Sequence, residues 1–207
     1  MPFSDFIEQL EEIPLDGNDL ITMSTKLGNP KCKWMVYDDL ARMNTIEALF
    51  EEGNNTMYIL LQIQSEDGNQ IGHWISIIKY DTKAGNTSGF EYGHYDPYGF
   101  TIDEELSFTH AKPLLTNLLT GVRFEENRVR HQQFTNRTTS INTCGRHTVS
   151  RSVFYYLTNK DYNNLIIKPV LSKNDVRNPD VMVAVLTGFL PPNDDPVRAF
   201  FMNRASR

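Results

Sequence analysis

The chain has 207 residues, 40% of them apolar, which is enough for one packed domain without disulfide or metal staples. Its formal charge of −6 and pI near 5.4 exclude a bulk electrostatic attraction for nucleic acid or anionic membranes. No apolar run approaches the length of a membrane span, and Met1-Pro2-Phe3-Ser4-Asp5 lacks the basic-then-apolar pattern of a secretory signal.

The first predicted helix runs from Ser4 to Glu12, with Phe6, Ile7 and Leu10 on one stripe. A loop rich in Gly, Asn and Pro follows, and then the extended stretch Cys32 to Tyr37. Asn44-Thr45-Ile46-Glu47 reads as a capping box that opens a helix through Phe50. Met57 to Ile63 and Trp74 to Tyr80 read as buried strands, rich in β-branched and aromatic residues. A turn-rich connection, Asp81 to Gly89, makes a hairpin with the returning strand Phe90 to Tyr95, which ends at Asp96-Pro97-Tyr98-Gly99.

Pro113 opens a helix carrying Leu114, Leu115, Leu118 and Leu119, and Gly121 closes it. Val122 to Phe134 reads as one or two further strands, and the polar loop Thr135 to Thr143 leads to Cys144-Gly145-Arg146-His147. The helix that starts there turns Val149, Val153, Phe154 and Leu157 inward. A last helix has Asn178 as cap and an apolar stripe of Val181, Met182, Val185, Leu186 and Phe189. The pattern predicts one α+β domain over residues 1–190, a mostly antiparallel sheet flanked by helices, with an irregular tail over 191–207.

Three segments stand at element ends, where side chains project into clefts: Gly72-His73-Trp74, Asp96-Pro97-Tyr98-Gly99 and Asn142-Thr143-Cys144-Gly145-Arg146. In a hairpin the start of one strand lies beside the end of the other, so His73 and Asp96 are expected neighbours. A thiol at a helix N-terminus meets the positive end of the helix dipole, which favours thiolate. A histidine to take its proton and a carboxylate to orient that histidine complete a nucleophile–base–orienter set. Each residue alone has a plain structural reading: a small buried thiol, a strand histidine, a turn aspartate. Trp74 is expected to pack beside the histidine, and a plain core role is equally compatible with its position. Only two cysteines occur, which suits a reducing compartment, and Cys32 is read as a structural thiol. Cys144 and His147 have the spacing of a metal pair, but no second pair accompanies them, so no metal is expected. His94, His110 and His131 have no assigned partner. Arg123, Arg128, Arg130 and Arg137 form either a local basic strip or a solvated sheet edge.

The order His73, Asp96, Cys144, with an aromatic after the histidine and Gly145 after the cysteine, resembles the adenain-like and SUMO-deconjugating cysteine peptidase superfamily. More narrowly, the three segments are similar to the maturation peptidases of large DNA viruses and virophages, the mavirus-type virophage protease being the narrowest likeness. Tyr37-Asp38-Asp39-Leu40, Ile46-Glu47-Ala48-Leu49-Phe50 and Asp103-Glu104-Glu105-Leu106 also look like that group, and the likeness spans residues 32 to about 190. It implies a papain-like fold in permuted chain order and catalytic roles for His73, Asp96 and Cys144. It also implies hydrolysis of capsid or other virion proteins during particle maturation, through a thioester and without a small-molecule cofactor. Protein substrates, a DNA or peptide activator, no membrane partner, and an intracellular viral assembly site in the host cytoplasm, with the virion, belong to the same implication.

One departure concerns the oxyanion hole. The superfamily places a glutamine six or seven residues before the nucleophile, where this chain has Thr138 and Arg137. Gln133 and Asn136 are the candidate replacements, and backbone donors such as the N–H of Cys144 are the other solution. Two other functions stay open at this point: an isopeptidase acting on ubiquitin-like tags, and a non-catalytic binding module on a peptidase scaffold.

Overall fold

A computed structural model describes residues 3–64, 70–82, 87–108, 111–132, 141–171 and 178–188. Its centre is an open five-stranded sheet in the order β1 (Cys32–Val36), β2 (Thr56–Gln64), β3 (Gln70–Lys79), β4 (Tyr92–Tyr95) and β5 (Phe124–Glu126). β3 pairs antiparallel with β2 and with β4, whereas β1 runs parallel to β2 and β5 parallel to β4. The sheet is therefore mixed, where the sequence pattern predicts a mostly antiparallel one. A parallel pair requires a crossover longer than a turn, and residues 37–55 and 96–123 supply one at each edge.

Both crossovers cover the same face. The 3-10 segments Tyr37–Arg42, Ile46–Gly53 and Glu104–Phe108, with α3 (Leu114–Leu118), bury Tyr37, Leu40, Ile46, Leu49, Leu106 and Leu115 against Ile59, Leu61, Ile75 and Ile77. The predicted helix after Asn44 is a 3-10 helix whose N-cap is Thr45, and the Thr45 side chain makes no cap hydrogen bond, so the predicted box is incomplete. On the opposite face, α2 (Gly17–Lys26) and α4 (Cys144–Val153) pack Leu20, Met23 and Val149 on Tyr58 and Trp74. α1 (Phe3–Glu12) and α6 (Asn178–Gly188) form an outer layer through Phe6, Ile7, Leu10 and Ala184.

α2 falls where the sequence reads as loop. Its signal is a capping box with aspartate in the third position: Asp16 accepts from the Asp19 N–H at 2.8 Å, and Asp19 accepts from the Asp16 N–H at 3.1 Å. Leu20, Met23 and Ser24 then form its buried face. Of Val122 to Phe134, only Phe124–Glu126 is a strand among the described residues. Asn127 ends it by donating its amide to the carbonyls of Asp96 and Val129 at 2.8 and 2.9 Å.

α4 stops at Val153, so Phe154 and Leu157 lie beyond it and are half-buried. Buried Arg151 takes the carbonyls of both residues, at 2.8 and 2.6 Å, and folds the chain back into α5 (Asn159–Tyr162). In α6 the fully buried positions are Asp180, Val183, Ala184 and Thr187, while Val181, Met182, Val185 and Leu186 are half-buried. The predicted apolar stripe is thus displaced by polar residues that have partners on α4, described below. Phe189, His110 and the tail over 191–207 lie outside the described residues. Among the described residues, no helix is long and apolar enough to cross a membrane.

Candidate active site

His73 sits on β3 opposite Leu61, and the pairing of Ser76 with Tyr95 carries Asp96 just past the end of β4. The two side chains meet as the hairpin predicts: His73 Nε2 lies 3.3 Å from Asp96 Oδ2, with both groups buried. The turn that follows fixes the carboxylate. Its other oxygen accepts from the Tyr98 N–H at 2.6 Å, and Gly99, at φ 80°, closes the turn onto the Asp96 carbonyl at 3.0 Å. A left-handed conformation of that kind is cheap only for glycine. Tyr98 also stacks on the imidazole, with centroids 4.7 Å apart and planes 20° from parallel.

The Cys144 thiol, at the first turn of α4, is a hydrogen-bond partner of the same ring. Because Nε2 faces carboxylate, Nδ1 is the nitrogen left to exchange a proton with sulfur. Burial alone would push the imidazole down. The Asp96 carboxylate, then the Cys144 hydrogen bond and the charge of Glu105, outweigh burial and hold His73 well above its ordinary range. The sequence gives Glu105 no role, yet its Oε1 also lies 3.3 Å from His73 Nε2. In sequence it is one of a pair of acids before Leu106, with nothing to mark it from a solvated one.

The N-terminus of α4 has no side-chain cap. Thr143, the N-cap residue, instead donates its hydroxyl to Asp180 Oδ1 at 2.5 Å, and His147 Nε2 lies 3.0 Å from the same oxygen. His147 therefore turns toward α6 rather than joining Cys144 as a metal pair. The leading N–H groups of a helix have no acceptor within it and point outward, together with the positive end of its dipole.

The same segment also receives the end of α1. The carbonyls of Leu10, Glu11 and Glu12 accept from Arg146 Nε, the Asn142 N–H and Asn142 Nδ2 at 3.0, 2.6 and 2.8 Å. Gly145 fits a close gap: a Cβ there would meet Leu20, Leu15 and Trp74 at 3.2–3.3 Å.

A cleft of about 660 Å³ opens at Cys144, lined by residues 14–18 together with Trp34, Leu60, Gly72, Trp74 and Asn142. Trp74 is anchored by its indole N–H to the Leu15 carbonyl at 2.9 Å, and Trp34, 40% exposed, meets it edge-on at 6.1 Å. Leu15, Trp34, Leu60 and Trp74 give the cleft apolar walls, and Cys144 lines it. Cys32 is equally buried, at 6% exposure against 8% for Cys144, but its surroundings differ. Burial pushes the Cys32 thiol up, against hydrogen bonds from Tyr58, Ser152 and Ser24, and it donates to the Asn29 carbonyl at 3.4 Å.

Gln133, Asn136, Arg137 and Thr138 lie outside the described residues. Gln132 is described: it is buried, and its amide donates to the Ile141 carbonyl at 3.4 Å. His131 bonds the Tyr95 hydroxyl at 2.9 Å, and His94 is buried on β4. Arg128 pairs with Glu126 at 2.6 Å, and Arg123 donates to the Ser88 carbonyl, so both are held at the sheet edge. His73, Asp96 and Glu105 each offer one donor atom within 4.8 Å of the others, a set that also fits a divalent cation. Comparisons of the sequence with protein-family models and with curated proteins give no match.

Proposed function

We propose that this protein is a cysteine peptidase in which Cys144 is the nucleophile, His73 the base and Asp96 the orienter. One observation carries the reading: segments distant in sequence bring a thiol, an imidazole and a carboxylate into one hydrogen-bonded row, whose thiol lines a cleft. The thiol gives its proton to His73, and the thiolate attacks a peptide carbonyl carbon lying in the cleft. The oxyanion that forms meets the N–H groups at the start of α4. His73 returns the proton to the departing amine, leaving a thioester, and then activates the water that releases the acid and restores the thiol. A papain-like fold, virion proteins as substrates, and an endopeptidase rather than a tag-removing isopeptidase follow from the sequence resemblance and form part of the proposal.

The test is alkylation of the folded chain by iodoacetamide at pH 6 and pH 8, with the labelled cysteines mapped. Cys144 is expected to label rapidly at pH 6 and Cys32 slowly. His73→Ala should slow Cys144 by about 10²–10⁴-fold, the usual worth of a positioned base. Equal, sluggish labelling of both thiols, indifferent to His73, would overturn the reading. Substrate class is then decided by co-expression with a capsid protein, whose processing Cys144→Ala abolishes, and by ubiquitin-family probes, which an endopeptidase leaves uncut.

The donor set of His73, Asp96 and Glu105 favours a second reading, a cation centre. On the peptidase reading, EDTA and 1,10-phenanthroline leave Cys144 labelling unchanged. Chelator sensitivity restored by zinc would favour the metal.

A further inference from the structure

The peptidase mechanism has no use for Glu105, although the fold holds this acid firmly. Its 3-10 segment is pinned at several points. Asp103, at φ 59°, accepts the Tyr37 hydroxyl at 2.6 Å and the Thr116 N–H at 2.8 Å. The Ile102 N–H reaches Glu126 at 2.9 Å, and the Thr101 N–H reaches Glu104 at 2.7 Å. A non-glycine residue in the left-handed region is uncommon, and here its carboxylate is fixed on both oxygens. The effect is to deliver the Glu105 carboxyl, 6% exposed, to the same imidazole nitrogen that Asp96 faces.

One N–H facing two buried carboxyl groups raises a problem of charge. With both acids ionised, two negative charges would lie side by side out of water, with a thiolate beyond the ring. Like charges at such a distance do not both ionise readily, and one carboxyl keeps its proton. Glu105 is the candidate: burial pushes it up to about 8, against the pull of His73 and with the help of the Asp96 charge. The titratable or charged groups around it are His73 on β3, His94 on β4, Asp96 and Tyr98 in the turn, Cys144 on α4, and Asp103 and Glu104 on its own segment. β2 contributes only Leu61 to that small chamber.

We propose that Glu105 is a positioning residue for His73: as a carboxylic acid it donates to Asp96, so that the imidazole meets one negative charge rather than two. The proposal rests on the reading of His73 as the base. The proton on Glu105 ties the two acids into a single acceptor, which holds the ring with Nδ1 toward sulfur.

The experiment records NMR spectra of the full chain, labelled with 15N-histidine, at pH 6, and measures Cys144 alkylation by iodoacetamide in parallel. Wild type, Glu105→Gln and Glu105→Ala are compared, with thermal melts to confirm folding. The His73 ring nitrogens should keep their wild-type shifts in Glu105→Gln, whose amide still offers a donor toward Asp96, and should move in Glu105→Ala. Alkylation at pH 6 should stay within about twofold in Glu105→Gln but fall about tenfold in Glu105→Ala, a change equivalent to one unit of imidazole pKa. A folded Glu105→Ala with wild-type alkylation and His73 shifts, or a Glu105→Gln that behaves like Glu105→Ala, overturns the proposal. Failure of the peptidase reading looks different: Cys144 is then slow in the wild type itself, whatever stands at position 105.

Discussion

Gly145 shows how tightly the nucleophile is seated. A methyl group at this position comes within 3.2–3.3 Å of Leu20, Leu15 and Trp74, none of which sits on a loose chain end. Trp74 is further fixed by its bond to the Leu15 carbonyl. Gly145→Ala is therefore expected to cost about 1–3 kcal/mol through overpacking, read as a lower midpoint in chemical denaturation. It should also slow Cys144 alkylation, because the first turn of α4 must shift away from β3. Unchanged stability together with unchanged labelling would mean that the neighbours give way freely. At the same scale, Asp96 and Cys144 stand at element ends as the sequence suggests, whereas His73, expected to open its strand, lies inside β3, which begins at Gln70. Glu105 was not legible in sequence, because an acid inside a short 3-10 segment has no periodic or capping signature that distinguishes it from a solvated one.

Among the elements, α4 is unusual in being buried on every side, with Arg146, His147, Ser150, Arg151 and Ser152 all fully enclosed. Its polar residues bond outward to other elements: His147 to Asp180 of α6, Ser152 to Tyr58 of β2, and Arg151 to Tyr80 and Asn159. Arg146 reaches the Leu10 carbonyl of α1 at 3.0 Å and the Thr187 hydroxyl of α6 at 2.6 Å, so one guanidinium clamps three helices. Arg146→Met leaves both acceptors without that donor and is expected to cost about 3 kcal/mol, which for a chain of this size lowers Tm by roughly 6–12 °C. A smaller loss, below about 1 kcal/mol by denaturant titration, would mean that the clamp is replaceable. The same enclosure explains why the stripe predicted for α6 was misplaced. Periodicity identifies apolar faces, but α6 is apolar nearly all round, and Asp180 and Thr187 define its inner side by meeting His147, Thr143 and Arg146. α2 was missed for a different reason: its box uses Asp19 where a longer acid is the usual cue, and Gly17 opens the helix.

Across the whole molecule, buried titratable groups make stability depend on pH with opposite signs. His131 is pushed down to about 3 by burial and then by His147, and His94 is also lowered by burial. Between 6.5 and about 3 the unfolded chain binds a proton at His131 that the folded chain refuses, so this stability is full above 6.5 and lost as pH falls. Glu105 behaves in the reverse sense. From 4.5 to about 8 the folded chain keeps a proton that the unfolded chain has released, so its contribution is lost as pH rises. His73, raised above its ordinary 6.5, adds a contribution that is full below 6.5 and is likewise lost at higher pH. These groups place the maximum in Tm near pH 6.5. Thermal melts across the range should show His131→Gln flattening the acid side and Glu105→Gln flattening the alkaline side. A Tm that holds level from pH 6.5 to 8 would contradict the assignment for Glu105 and His73.

The sequence by itself determined the α+β class, the three inner strands and the hairpin that sets His73 beside Asp96. These depend on local patterning and on the two-residue period of strands, both of which are visible in a single chain. The tertiary structure alone decided the parallel pairing of β1 and β5, the walls of the cleft at Trp34 and residues 14–18, and the delivery of Glu105 to the imidazole. Those features arise where distant segments meet. Strand direction depends on the path of a crossover, and the protonation of a buried acid depends on which charges the fold places against it.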